Sequence, residues 1–332
     1  MLSTHWAAVD RMTLRVFDAH AGSGFRSVTL AEIPESVDGH VVWVDATGAT
    51  AAEIEALGEL FSFHDLAIED ARKRQQRPKI DTYGDHLFVV LYALDPPDET
   101  QRQPTRELSM FITANVVVTF HRHDIAELDE AASRWAEHCL GKLPETVAML
   151  AYTICDSIVD GYFPVLDEVG DRIEDLERAM FDRGDTGTLE QVFRMKRQLL
   201  EIRRVIAPTR DVFNAFTRRE LPAMGETSLA YYQDVYDHVI RTTETIDAYR
   251  DILSSVIDVH LTLVSNRLNQ TLRTLTVASI ILMSLALIAG IYGMNFHLTP
   301  SGDWTYGFEF AIGSMVVVGL ALVLVFKRRD WI

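Results

Sequence analysis

Cysteine is scarce. Cys139 and Cys155 are the two cysteines of the 332-residue chain. They lack the paired spacing of a metal site, so reduced cytosolic thiols are the expected state. Nucleophile motifs, phosphate-binding glycine loops and nucleotide fingerprints are also missing, which leaves no basis for an enzyme or an organic cofactor. The stretch MLSTHWAAVDRMTLRVFDAH has neither an uninterrupted apolar core nor a small-residue cleavage site, so no signal peptide is expected. Proline is absent from Ala223 to Thr299, where Gly225, Gly290 and Gly293 are the glycines. Little in that range would interrupt a helix. Charge is absent from Thr274 to Gly302.

The remaining charge is lopsided. Residues 270–332 carry four basic side chains (Arg273, Lys327, Arg328, Arg329) and three acidic ones (Asp303, Glu309, Asp330). The excess behind the net charge of −17 therefore lies in the first four-fifths. Such a field repels nucleic acid and concentrates cations, although solubility alone would be served equally well.

Strand-like runs rich in β-branched and aromatic residues occur at 41–45 (VVWVD), 86–94 (HLFVVLYAL), 108–113 (LSMFIT) and 115–121 (NVVVTFH). Ala51 to Phe61 and His64 to Arg74 have helical spacing, and Pro96-Pro97 through Pro104 reads as a loop. These describe an α/β domain over residues 1–143. From Pro144 the strand signals stop. A helical region runs to about Phe181, bent near Gly161 and Pro164. After a turn at 183–187, a capping box at Thr188–Gln191 opens a helix that ends at Pro208. Residues 144–222 thus form a helical hairpin.

Between 223 and 273 apolar residues recur at three and four, from Val235 and Val239 through Ile246, Tyr249, Leu253 and Val256 to Leu263. A helix from 226 to 294 would be roughly 100 Å long at 1.5 Å per residue. A monomeric globule has no use for that length, whereas oligomer stalks do. The stalk continues into a first apolar span, 274–294, of which TLTVASIILMSLALIAGIYG is about one hydrocarbon thickness. A loop at 295–307 leads to a second span, 308–326, and a basic tail, 327–332. Arg267 and Arg273 precede the first span, Lys327 to Arg329 follow the second, and the loop has no Lys or Arg. The positive-inside rule places both termini in the cytosol, with Trp304 and Tyr306 at the outer interface.

Two spans cannot enclose an aqueous path alone. Steps of seven along the first span give Asn269, Thr276, Met283 and Gly290, and from Leu272 give Ser279, Ala286 and Gly293. This stripe of small, weakly polar residues ends just before Asn295. It suits a pore built from several copies, and it equally suits tight helix–helix packing. Both readings need self-association.

The segment Ile-Ala-Gly-Ile-Tyr-Gly-Met-Asn-Phe (288–296) closes the first of two C-terminal spans. With Gln-Arg-Pro-Lys (76–79), Tyr-Gln-Asp-Val-Tyr-Asp-His (232–238), the stalk around Tyr249-Arg-Asp-Ile and the basic tail, it resembles the CorA-type divalent-cation channels. The likeness covers the chain from about residue 40. It implies a homopentamer in the inner membrane that admits Mg²⁺, with Co²⁺ or Ni²⁺ as further substrates. It implies Gly293, Met294 and Asn295 as the selectivity filter. Asn269, Leu272, Thr276, Ser279, Met283 and Gly290 would then line the pore. Cytosolic Mg²⁺ would bind between subunits at Asp70 and Asp234, with Glu69 beside the first, and hold the pore shut; read alone, these acids are solvated helix residues. The chain departs from the family pattern in two places. Thr299-Pro300-Ser301-Gly302 stands where relatives often have Met-Pro-Glu-Leu, leaving Asp303 and Glu309 as substitute outer-loop acids. Ser284 stands where many relatives have proline.

Two further patterns read as ordinary surface. His121 and His123 could be metal ligands but also exposed loop histidines. The acids Asp167, Glu168, Asp171, Glu174, Asp175 and Glu177 fit a solvated helix face. A zinc transporter of the related ZntB type and a pore-less membrane-anchored scaffold or sensor are the competing readings. An intact Gly-Met-Asn disfavours the first, and tolerance of substitution at Asn295 would mark the second.

Overall fold

The computed structural model describes residues 13–18, 25–27, 33, 41–73, 75–96, 105–140, 145–182, 186–218, 228–294, 306–329 and 331. The chain divides into two compact units, Met1–Ser255 and Val256–Ile332.

The first unit is built on a seven-stranded sheet. Its strands are β1 (Thr13–Asp18), β2 (Arg26–Ser27), β3 (Val42–Thr47), β4 (Lys79–Tyr83), β5 (His86–Leu94), β6 (Thr105–Ile112) and β7 (Val116–His121), in spatial order β2-β1-β3-β7-β6-β5-β4. The pairing is antiparallel except between β3 and β7, which run parallel in register from Val42↔Val116 to Thr47↔His121. β5 is buried along its whole length, which explains its unbroken apolar sequence. On one face Val42, Val44, Phe88, Val90, Phe111, Val118 and Phe120 share a core with α1 (Ala51–Phe61) and α2 (Asp65–Lys73), through Ile54, Leu57, Ala67 and Ile68. The other set of alternating residues, including Trp43, Val89, Leu91, Met110 and Val117, is buried as well. α4 (Val147–Asp160) packs on β5 and β7, and α3 (Ala126–Leu140) packs on α4.

Local chemistry sets the boundaries. Thr50 caps α1 by accepting from the Glu53 amide, while the Glu53 carboxylate accepts from the Thr50 amide at 2.8 Å. The expected helices at 51–61 and 64–74 appear as α1 and α2. The helical region after Pro144 is two helices, α4 and α5 (Tyr162–Asp182), separated at Gly161. A Cβ at Gly161 would stand 2.8 Å from Glu127 Cγ, so glycine lets α3 come this close. Pro164 sits in the first turn of α5, where its missing N–H costs little.

Two expectations are corrected. α6 runs Thr186–Thr217, so it begins before Thr188, which is buried within it rather than serving as a cap. It also continues through Pro208 for nine more residues. Burial of Ile202, Ile206, Val212, Phe213 and Phe216 along one face holds the helix together across the proline. Residues 183–185 of the expected turn lie outside the described residues. β1, β2, β4 and α3 have no counterpart in the sequence reading.

α7 is a single 64-residue helix, Leu229–Tyr292, and passes from the first unit into the second. In the first unit it buries Val235, Val239, Ile246 and Leu253 of the stripe seen in the sequence, together with Tyr232. Tyr232 donates to the Ala148 carbonyl at 3.0 Å, Lys196 to Ser254 Oγ at 2.7 Å, and Arg203 holds Asp247 at 2.6 and 3.1 Å. These polar contacts fix the register of α7 against α4 and α6.

Candidate functional site

The second unit holds the last part of α7 and α8 (Gly307–Arg328). Both helices are long and apolar enough to cross a membrane by length and composition, and only 6% of the most apolar stretch of each is buried. A core helix of a soluble protein would be mostly covered; these are not. They meet antiparallel. Tyr292 lies 6.5 Å from Phe310 at one end, and Arg273 sits over the Trp331 ring at 5.8 Å at the other. Trp331 also stacks on Phe326, and its amide donates to the Phe326 carbonyl at 3.0 Å.

The contact face and the polar stripe of α7 are different faces. Val277 is buried, while Ile281, Ser284, Leu285 and Ile288 are half-buried, and Leu285 approaches Gly319 of α8. Asn269, Leu272, Thr276, Ser279, Met283 and Gly290 are all exposed in the single chain, Met283 by 73%. The stripe is therefore not packed against α8. Gly290 has nothing within 4 Å of a would-be Cβ. Thr276 and Ser284 turn their hydroxyls back to the carbonyls of Leu272 and Ile280, at 2.8 and 2.7 Å, which is how helices carry such groups in an apolar setting.

Gly293 continues α7 as a turn, its amide donating to the Ala289 carbonyl at 2.9 Å, and Met294 follows, exposed. A Cβ at Gly293 would meet that same carbonyl at 3.2 Å. Asn295 and Asp303 lie outside the described residues. Glu309 is exposed in the first turn of α8, where a carboxylate is favoured by the helix dipole.

The acids expected to bind regulatory Mg²⁺ belong to the first unit. Asp70 and Glu69 are on α2, where Lys79 Nζ stands 2.6 Å from Asp70 and Lys73 pairs with Glu69. Asp234 is exposed on α7, and no described cation pairs with it. Among the described residues, no hydrogen bond or ion pair within the single chain joins Asp70 to Asp234. One helical turn beyond Asp234, His238 meets two acids that the sequence reading missed. Ligand atoms of Asp156, Asp160 and His238 lie within 4.8 Å of one another, a group able to hold a metal ion. Asp160 Oδ1 is 3.4 Å from His238 Nδ1, and Arg134 bridges Asp156 and Asp160. Burial and neighbouring Asp156 push the Asp160 carboxyl up. The missed signal was spacing: Asp156 and Asp160 are one helical turn apart on α4.

His121 and His123 do not form a metal pair. His121 is buried, with Nε2 2.9 Å from Asp45 Oδ1 and Nδ1 2.7 Å from the His123 carbonyl. It is a core histidine, and His123 is exposed. The acids Glu168, Glu174 and Asp175 pair with Arg172 and Arg178 along the surface of α5.

The fold is thus an α/β domain, a long helix and two C-terminal apolar helices that could span a membrane. The CorA-like Mg2+ transporter protein family matches residues 38–328, and the chain belongs to that family of divalent-cation transporters. It is 32% identical over 292 residues to the cobalt/magnesium transport protein CorA of Thermotoga maritima, covering 87% of this chain and 83% of that one. The complete structure of the CorA magnesium transporter from Methanocaldococcus jannaschii superposes with a TM-score of 0.81 over 100% of both chains, at 22% identity. The zinc transport protein ZntB of Pectobacterium carotovorum is 23% identical over 262 residues, 77% of each chain.

Proposed function

We propose that the chain is one subunit of a homopentameric inner-membrane channel that admits Mg²⁺, and secondarily Co²⁺ or Ni²⁺, down the membrane potential. The observation that carries this is the exposed stripe from Asn269 to Gly290 on α7, a helix followed in sequence by Gly293-Met294-Asn295. A face of small and weakly polar residues left open in one chain is what a ring of copies would turn to a common axis. Gly293 lets neighbouring backbones approach there. Mg²⁺ sheds its waters reluctantly. Amide oxygens from a ring of Asn295 side chains would accept hydrogen bonds from those waters without the trapping charge of carboxylates, which suits a site that must also release its ion. Glu309 and Asp303 would be the acids that concentrate cations at the outer mouth.

Gating follows from differential binding. Asp70 and Glu69 of one subunit would face Asp234 of the next, and Mg²⁺ would relieve their repulsion and favour the closed ring. Asp156, Asp160 and His238 are a further cytosolic cation group one helical turn from Asp234. When cytosolic Mg²⁺ falls, these sites empty and the ring loosens.

The test is flux of Mg²⁺, Co²⁺ and Zn²⁺ into liposomes carrying the parent or Asn295→Ala. The parent should pass Mg²⁺ and the variant should lose most of that flux. A parent that passes none of the three sinks the channel, and one that passes Zn²⁺ alone transfers the reading to the ZntB type. Unchanged flux in Asn295→Ala removes the filter from this residue.

A further inference from the structure

The sheet unit contains a cavity of about 1020 Å³ that the transport reading does not use. It opens between the loop before β4, the loop after β7 and the flank of α6. Its charge runs against that of the chain. Five arginines line it (Arg77, Arg106, Arg122, Arg203 and Arg204) against two acids, Glu107 and Glu201, in a protein of net charge −17.

Some of those charges are already committed. Arg106 pairs with Asp95 at 2.6 Å and Arg203 with Asp247. Glu107 accepts from the Gln75 amide, and its Oε2 lies 2.9 Å from the Tyr92 hydroxyl. Arg77, Arg122 and Arg204 are exposed, and among the described residues none of them pairs with an acid. Each comes from a different element, so the fold rather than one run of sequence collects them. His123 lines the cavity beside Arg122, and Phe120, Leu200, Val205 and Ala207 supply an apolar lining. Gln75, at the rim, holds a left-handed backbone with φ 60°, a conformation that costs energy in a non-glycine residue. Its amide is the one that reaches Glu107, and Arg77 lies two residues on. The Gln76-Arg77-Pro78-Lys79 segment, conspicuous in the sequence, is thereby assigned a place: the Tyr92 hydroxyl donates to the Gln76 carbonyl at 2.6 Å and anchors the loop that carries Arg77.

We infer that this cavity binds a polyphosphate anion of nucleoside-triphosphate size, held by Arg77, Arg122 and Arg204. Guanidinium forks match phosphate oxygens in pairs, and three from separate elements can surround a chain of phosphates. The volume is at the upper end for a small-molecule site, and the apolar lining accommodates a base. Like-charge repulsion among three uncommitted arginines is relieved when the anion arrives.

The experiment is calorimetric titration of the full-length, detergent-solubilised protein in EDTA with ATP, inorganic tripolyphosphate and adenosine. Saturable binding of ATP or tripolyphosphate, one per chain, is expected. Binding of ATP much tighter than tripolyphosphate assigns a nucleotide, and equal binding assigns the phosphate chain alone. The triple variant Arg77→Gln, Arg122→Gln, Arg204→Gln should weaken it by about 1,000-fold, at roughly tenfold for each charge-assisted contact. Arg26→Gln with Arg218→Gln, exposed arginines away from the cavity, should leave it unchanged. Arg204→Glu alone, with its melting temperature checked against the parent, covers the case in which the triple variant misfolds. The inference is overturned if neither anion binds at about 1 mM. It is equally overturned if the arginine variants bind like the parent, or if adenosine binds as well as ATP.

Discussion

His238 on α7 and Asp160 on α4 face each other with Nδ1 3.4 Å from Oδ1, and Asp156 completes a group of ligand atoms within 4.8 Å. Arg134 partly neutralises the two acids, so a divalent cation has to compete with a guanidinium. A site of that kind would be occupied only when the ion is abundant, as the proposed sensing requires. A ligand at ten times its Kd stabilises the folded state by about 1.4 kcal/mol per site. Mg²⁺ should therefore raise the melting temperature of the detergent-solubilised protein and slow its proteolysis. Asp156→Asn with Asp160→Asn should remove part of that effect, and Asp70→Asn with Asp234→Asn another part. Protection by Mg²⁺ that survives both pairs of changes would make these acids mere surface charge.

A second prediction concerns pH. Asp45 is buried and accepts from Thr119 Oγ1 at 2.6 Å and from Arg15 at 2.7 and 3.1 Å, with His121 Nε2 at 2.9 Å. Burial alone would raise its carboxyl, but His121, Thr119 and Arg15 together hold it below the ordinary value of 3.8. A carboxylate depressed in the folded state stabilises the fold above that ordinary value. The contribution is lost as pH falls through the lower, folded value. The melting temperature of the parent should therefore drop as pH is lowered below about 4. Asp45→Asn should flatten that dependence and cost about 3–5 kcal/mol near neutrality by stranding Arg15 and His121. A variant with the parent's pH profile would show that the network contributes nothing.

The third prediction tests how α5 meets α7. A Cβ at Gly170 would stand 2.5 Å from the Tyr249 hydroxyl and 3.1 Å from Cζ. Gly170→Leu should destabilise by about 1–3 kcal/mol through overpacking, whatever it gains in helix propensity. Adding Tyr249→Ala should recover much of the loss, because the added atoms then have space. Denaturant midpoints of the two single variants and the double give the coupling; additive losses would mean that the two residues do not share this contact.

Tyr249 also shows what the sequence could and could not convey. It was legible as a member of the α7 stripe, because helical periodicity is local. That Gly170 receives it depends on packing between distant segments. The same division holds elsewhere. α1, α2, β5 and β7 follow from periodicity and side-chain type, and the two apolar helices from length and the absence of charge. β1 and β4 were missed because TLRVFD and KIDTY are short and carry charge, and their strand character comes from pairing with β3 and β5. Pro208 does not end α6, because tertiary burial outweighs one lost hydrogen bond. The polar stripe was readable residue by residue. Its exposure, with α8 on another face, needed the fold, and so did the meeting of Asp156 and Asp160 with His238.

The last prediction concerns orientation. Arg273 over Trp331 puts the start of the first apolar helix segment beside the end of α8, while Tyr292 and Phe310 meet at the opposite end. The basic residues Arg273, Lys327, Arg328 and Arg329 therefore gather at one end of the hairpin, which the positive-inside rule assigns to the cytosol. Single cysteines introduced at Tyr306 and at Trp331 should report opposite sides of the membrane. The native thiols permit this without removal. Burial pushes the Cys139 thiol up to about 11, and Cys155 is fully buried and raised further, so both are poor thiolates at neutral pH. A membrane-impermeant maleimide added to intact cells should label Tyr306→Cys and leave Trp331→Cys and Glu59→Cys unlabelled until the cells are opened. Labelling of Trp331→Cys from outside would invert the hairpin and place the acidic sheet unit on the wrong side to sense cytosolic Mg²⁺.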